Sequence, residues 1–213
     1  MKILFYGDSI TDMARNRENP NHPAFGYGMG YPNHIIGELA YNEPNKYQFV
    51  NRGISGNRVV DLYARIKADC WNHNPDVLSI LIGVNDVWHE WGSKNGVELD
   101  RFEKVYRMLI EDTKAKLPNV KIILCEPFVL KGEATDGEEG QWEHFLQVKE
   151  YAKVVAKLAK EYGAYFVALQ EKFDEAAAKH GAETYLYDGV HPATAGAKLI
   201  ANAWLQVFNA MEK

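Results

Sequence analysis

Short runs that are apolar almost throughout recur along the chain, separated by longer stretches with a helical apolar period. The runs are "KILFY" (2–6), "YQFVN" (47–51), "DVLSILIG" (76–83), "VKIILCE" (120–126) and "AYFVAL" (164–169). Apolar residues at consecutive positions suit strands of a parallel sheet, which is covered on both faces. The periodic stretches predict helices. Residues 98–117 repeat Phe102, Val105, Leu109 and Ile110 and stop before Pro118, which disfavours helix in the residue ahead of it. Residues 141–162 repeat Phe145, Val148, Ala152, Val155, Ala159 and Tyr162, and Gly163 suits a C-cap. A last helix over 193–210 aligns Leu199, Ile200, Ala203, Trp204, Val207 and Phe208.

This alternation predicts right-handed βαβ units and a flavodoxin-like, doubly wound α/β fold. Five parallel strands form the middle layer of a three-layer α/β/α sandwich. A chain of 213 residues suits one domain over 1–213, and no repeat or linker divides it. Residues 11–30 and 131–140 are long polar loops of the kind that carry function in compact domains. The acidic cluster of Glu133, Asp136, Glu138 and Glu139 reads as solvated surface.

Composition removes several classes. The net charge of −5 offers no basic face for phosphates, so nucleic acid is not an expected partner. No run approaches a membrane span, and "MKILFYGDS" lacks both the apolar length and the cleavage site of a signal peptide. A cytoplasmic protein without a membrane partner is expected. Cys70 and Cys125 lie far apart and outside any C-x-x-C pattern, which argues against a disulfide framework or a zinc site. Cys125 reads as a small buried hydrophobe. His22, His34, His73, His89, His144 and His180 show no ligand spacing and read as surface or loop residues, so neither metal nor cofactor is expected.

In an open parallel sheet, ligands bind beyond the carboxyl ends of the strands. Four glycine-bearing polar turns fall there: Gly7-Asp8-Ser9, Asn51-Arg52-Gly53 with Ile54–Asn57, Gly83-Val84-Asn85-Asp86, and Asp188-Gly189-Val190-His191-Pro192. Asp188 and His191 are three residues apart, so a carboxylate can reach a ring nitrogen and fix its tautomer. Pro192 suits the first position of the helix that follows. Ser9 is either a helix cap or a nucleophile activated by that base. The Ser9 N–H, the Gly53 N–H and the Asn85 amide supply three donors for an oxyanion, although each residue alone is also an ordinary turn former. Thr11 stands where a nucleophile elbow would need its second glycine, which argues against an α/β-hydrolase.

"GDSI" (7–10), Gly53 in "NRGISGN", "GVND" (83–86) and "DGVHP" (188–192) resemble the ordered blocks of the SGNH (GDSL-type) hydrolases. The resemblance spans nearly the whole chain and implies Ser9, Asp188 and His191 as the triad. It implies Ser9, Gly53 and Asn85 as the oxyanion hole. Within the family, "GDSITD", "GVNDVW" and "YDGVHP" are most similar to intracellular acetyl-xylan esterases, which deacetylate short xylo-oligosaccharides. The expected partner is therefore a small acetylated sugar. The polar loop 11–30 favours a small acyl group, and Trp88, Trp91 and Tyr187 are candidate sugar-binding aromatics. Trp88 and Trp91 would equally suit the core or an interface between copies of the chain, as in a homo-oligomer. The alternatives are a lysophospholipase or acyl-thioesterase, and a flavodoxin-like binding module without a reaction.

Overall fold

The computed structural model describes residues 1–212. Five strands form one sheet: β1 (Lys2–Gly7), β2 (Gln48–Gly53), β3 (Val77–Leu81), β4 (Lys121–Cys125) and β5 (Tyr165–Val167). Their order is β2-β1-β3-β4-β5 and every pairing is parallel. Each sequence run therefore carries a strand, β5 being the shortest. The helices are α1 (Ser9–Asp12), α2 (Tyr31–Asn42), α3 (Val59–Asp69), α4 (Val84–Ser93) and α5 (Leu99–Lys116). Beyond them come α6 (Gln141–Phe145), α7 (Val148–Tyr162), α8 (Gln170–His180) and α9 (Thr194–Met211). The periodic stretch 141–162 is two helices rather than one, interrupted at Leu146-Gln147.

Adjacent residues of β1 show the layering, because successive strand side chains point to opposite faces. Phe5 packs on Tyr31 of α2 and Trp204 of α9, at ring-centroid distances of 5.9 and 5.6 Å. Tyr6 points the other way and donates its hydroxyl to Leu62 O of α3 at 2.7 Å. The α2–α9 layer and the α3–α5–α7 layer thus cover both faces, which explains why β3 is buried at every position. Trp204 ties its layer to the sheet by donating its indole N–H to Ser79 Oγ at 2.9 Å. Cys70 and Cys125 are both free and buried.

The polar loops have different uses. Loop 11–30 folds over β2: Asn51 Nδ2 donates to Thr11 O at 2.7 Å and to Tyr27 O at 2.8 Å. Loop 131–140 packs behind the loop carrying Asp188. Leu130 N–H donates to Gly189 O and Ala134 N–H to Asp188 O, both at 2.9 Å. Glu133, Asp136, Glu138 and Glu139 are exposed there. Helix α9 begins at Thr194, so Pro192 precedes the helix instead of opening it. Leu186 and Pro192 form an isolated antiparallel bridge that closes the 187–191 turn.

Candidate active site

The β1–α1 turn keeps a serine hydroxyl unused. Asp8 caps α1, its Oδ1 accepting the Ile10 N–H at 2.9 Å, so capping does not occupy Ser9. Ser9 Oγ instead lies 2.9 Å from His191 Nε2, across 182 positions of sequence. The other ring nitrogen, Nδ1, is 2.6 Å from Asp188 Oδ2. Asp188 Oδ1 accepts the backbone N–H groups of Val190 and His191 at 2.9 and 2.7 Å. A carboxylate at Nδ1 makes that nitrogen the protonated one and leaves Nε2 as an acceptor facing the serine.

The charges follow from these partners. Burial pushes the Asp188 carboxyl up, but the bonds from the His191 ring and the two backbone N–H groups outweigh it and hold it below the usual range. The hydrogen bond to Asp188 raises the His191 imidazole above its ordinary value, against the opposing effect of burial. Asp8 has the opposite setting. It is fully buried, its Oδ2 has no partner, and burial pushes it up to about 7. Asp86 is pushed up to about 8 by burial, and the nearby Asp8 adds to the shift.

A cavity of about 440 Å³ opens on this relay, its lining including Ser9, Gly56, Asn85 and His191. Gly53 does not line it. That glycine is the last residue of β2, registered against Gly7, and its N–H already donates to Asn51 Oδ1 at 2.9 Å. Its lack of a side chain serves packing, because a Cβ there would collide with the backbone of Thr11 and Asp12. The expectation that Gly53 supplies an oxyanion donor is therefore overturned. Gly56, three residues on, stands in the cavity wall in a left-handed turn (φ 80°) with open space around it.

Neighbouring polar groups fix that turn. Asp12 Oδ2 accepts both the N–H and the hydroxyl of Ser55 at 3.2 Å. Asn85 Nδ2 donates to Asn57 O at 3.1 Å, and Asp86 Oδ1 accepts the Val59 N–H at 3.0 Å. One amide hydrogen of Asn85 is thus used to orient the group, and the second is left over. Ser9 N–H, at the first position of α1, has no intrahelical partner. Ser9, Gly56 and Asn85 together can offer N–H donors to one oxyanion beside the serine hydroxyl.

The aromatic expectations divide. Trp88 lines the cavity with its ring 5.8 Å from that of His191, and Phe145 supports it at 5.6 Å. Tyr187 is 57% exposed and stacks on the His191 ring at 5.8 Å, but it is not in the cavity lining. Trp91 is not in the lining; it packs on His144 of α6 at 5.4 Å. His144 bonds Val87 O at 2.9 Å and His89 stands in the cavity wall; both are half-buried helix residues rather than surface or loop ones. No residue of 11–30 lines the cavity, so the polarity of that loop says nothing about the acyl group. Sequence reasoning missed Gly56, Ser55, His89, Gly92 and Ser93. A usable signal was there: Asn85, Trp88, His89 and Gly92 follow the i, i+3, i+4, i+7 spacing of one helix face.

Among the described residues, no group of three or more His, Cys, Asp or Glu side chains gathers to hold a metal ion. None of their helices is long and apolar enough to cross a membrane.

Comparison with known proteins agrees with this geometry. The family model of the GDSL-like lipase/acylhydrolase family matches residues 5–199. An acetylxylan esterase from Geobacillus stearothermophilus is 36% identical over 211 residues, 96% of this chain and 92% of that protein. The crystal structure of that esterase superposes with a TM-score of 0.85, again over 96% of this chain and 92% of the other. A crystal structure from Parabacteroides merdae, described as a GDSL-like lipase, gives a TM-score of 0.91 at 39% identity and covers 98% of this chain and 95% of its own. This chain belongs to the GDSL-like lipase/acylhydrolase family, the SGNH hydrolases, and is a carboxylic ester hydrolase.

Proposed function

We propose that the protein is a serine esterase that removes acetyl groups from short xylo-oligosaccharides through an acetyl-enzyme. His191 Nε2 takes the Ser9 proton as Oγ attacks the acetyl carbonyl. The Ser9 and Gly56 N–H groups and the Asn85 amide stabilise the resulting oxyanion. Asp188 holds the imidazole in its productive tautomer and stabilises the imidazolium. As the tetrahedral intermediate collapses, the sugar oxygen leaves with the proton from His191. Water, deprotonated by the same nitrogen, then attacks the acetyl-serine. Acetate departs as the proton returns to Ser9 Oγ.

The observation that carries this reading is the unbroken chain Asp188 Oδ2–His191 Nδ1 and His191 Nε2–Ser9 Oγ, at 2.6 and 2.9 Å, opening on a 440 Å³ cavity. The acetylated-sugar substrate is supported by the 36%-identical acetylxylan esterase, one variant of which is described as an acetyl-xylooligosaccharide esterase. Mass spectrometry of acetylated xylo-oligosaccharides tests it. The wild-type protein is expected to remove acetyl groups stepwise and Ser9→Ala to remove none; equal losses with both would refute the mechanism. Preference for 4-nitrophenyl octanoate over the acetate would refute the small acyl group.

A further inference from the structure

We propose that the cavity-facing side of α4 is the subsite for the alcohol half of the ester, and that the bare position 92 sets how large that alcohol can be. The inference rests on the esterase reading above. Asn85, Trp88, His89 and Gly92 share one helix face, and with Ser93 they line the cavity that opens on Ser9. From Asn85 to Ser93 the helix rises about 12 Å. That is far more wall than an acetyl methyl can use.

The wall is mainly apolar with a few polar groups at its edge, a combination that suits the apolar face and the hydroxyls of a sugar ring. Trp88 offers an indole surface, and the imidazole of His89 and the hydroxyl of Ser93 stand one and five residues further along. The Ser93 hydroxyl already donates to His89 O at 3.0 Å, which leaves its oxygen free to accept from a sugar hydroxyl, and the His89 ring can bond another. Trp91 falls off this face and packs on α6, consistent with a division between a cavity side and a core side of the helix.

Gly92 is the feature that no internal requirement explains. Glycine weakens a helix relative to alanine. Here the backbone does not require it, since Gly92 is absent from the positive-φ positions and a Cβ would meet nothing within 4 Å. Gly37 in α2 also has open space around it, so a helical glycine alone marks nothing. Both are exposed, and what separates them is place: Gly92 lies in the wall of the cavity that opens on Ser9, and Gly37 does not. A side chain at 92 would project into the volume that a sugar ring would fill.

The test compares Gly92→Ala, Gly92→Leu and, as a control, Gly37→Ala. Both alanine variants should raise Tm, because alanine strengthens either helix. For Gly92→Leu, the ratio of kcat/KM on acetylated xylotriose to kcat/KM on 4-nitrophenyl acetate should fall at least tenfold, with most of the loss in KM. Gly92→Ala should fall between it and the wild type, and Gly37→Ala should leave the ratio unchanged. An unchanged ratio in Gly92→Leu would overturn the proposal. If the wild type ignores acetylated oligosaccharides, the sugar reading fails, but position 92 is still tested by two ester series. A penalty in Gly92→Leu that grows with the alcohol from methyl to cyclohexyl acetate upholds the alcohol subsite. One that grows with the acyl chain from acetate to octanoate overturns it.

Discussion

Two aspartates flank the reacting pair, one in the turn after β1 and one in the turn before α9, and their surroundings set opposite charges. Asp188 is half-buried and receives the His191 ring N–H and two backbone N–H groups, which keep it ionised. Asp8 is fully buried, receives only the Ile10 N–H, and leaves Oδ2 without a partner. Burial therefore wins at Asp8 and loses at Asp188. The number of donors aimed at a carboxylate, more than its distance from the serine, decides which one can support an imidazolium.

Breaking the Asp188 side should have the largest effect. Asp188→Asn places an amide against His191 Nδ1 and favours the wrong tautomer, so kcat should fall by roughly 10³–10⁴ in steady-state assays. His191 also loses the partner that raises its pKa, so the acid limb of the residual kcat/KM profile should move to lower pH. In the wild type that limb should lie above the ordinary imidazole value.

The glycine pair that sequence reasoning confused should give the next largest contrast. Gly53→Ala forces a Cβ into the α1 backbone and should cost about 1–3 kcal/mol or more in denaturant melts. Gly56→Ala meets open space and carries only the left-handed backbone cost of about 1–2 kcal/mol, while keeping its N–H. Activity per folded molecule should therefore survive Gly56→Ala better than removal of the Asn85 donor by Asn85→Ala. The latter should lower kcat about 10²–10³-fold.

Asp8→Asn should be mild in activity and visible in the pH dependence of stability. The folded protein keeps the Asp8 proton up to about pH 7, whereas the unfolded chain releases it near 3.8. More protons are bound when folded, so stability falls as pH rises through that window, by up to about 1.4 kcal/mol per pH unit. Thermal melts of Asp8→Asn between pH 4 and 7 should show a flatter slope than the wild type. Smallest of all, Glu161→Gln removes an exposed carboxylate paired with Arg107 in water, and Tm should move by no more than about 2 °C.

The strands were legible because burial on both faces leaves consecutive apolar residues, as in "DVLSILIG" for β3. Helices α5 and α9 showed a stripe because one face of each is buried. Helix α3 was harder to see: its buried stripe is only Val59, Leu62 and Ile66, and apolar Val60, Tyr63, Ala64 and Ala68 off that stripe blur the period. Ser9, Asp188 and His191 could be singled out because they are chemically distinctive and stand at turns, and the fold brings them into one hydrogen-bonded chain. Gly53 and Gly56 are chemically identical, and only the strand register shows that the first ends β2 while the second enters the cavity. The wall of α4 was half seen: the two tryptophans drew attention, while the helical spacing of Asn85, Trp88, His89 and Gly92 went unused.

Ser9 Oγ is expected to carry the acetyl group between substrate and water. Rapid-quench mass spectrometry of the protein with 4-nitrophenyl acetate, followed by peptide mapping, tests it most directly. An acetyl adduct should appear on Ser9 within the first turnover, persist in steady state and vanish when substrate is exhausted. Turnover with no adduct, or with the adduct on another residue, would contradict it.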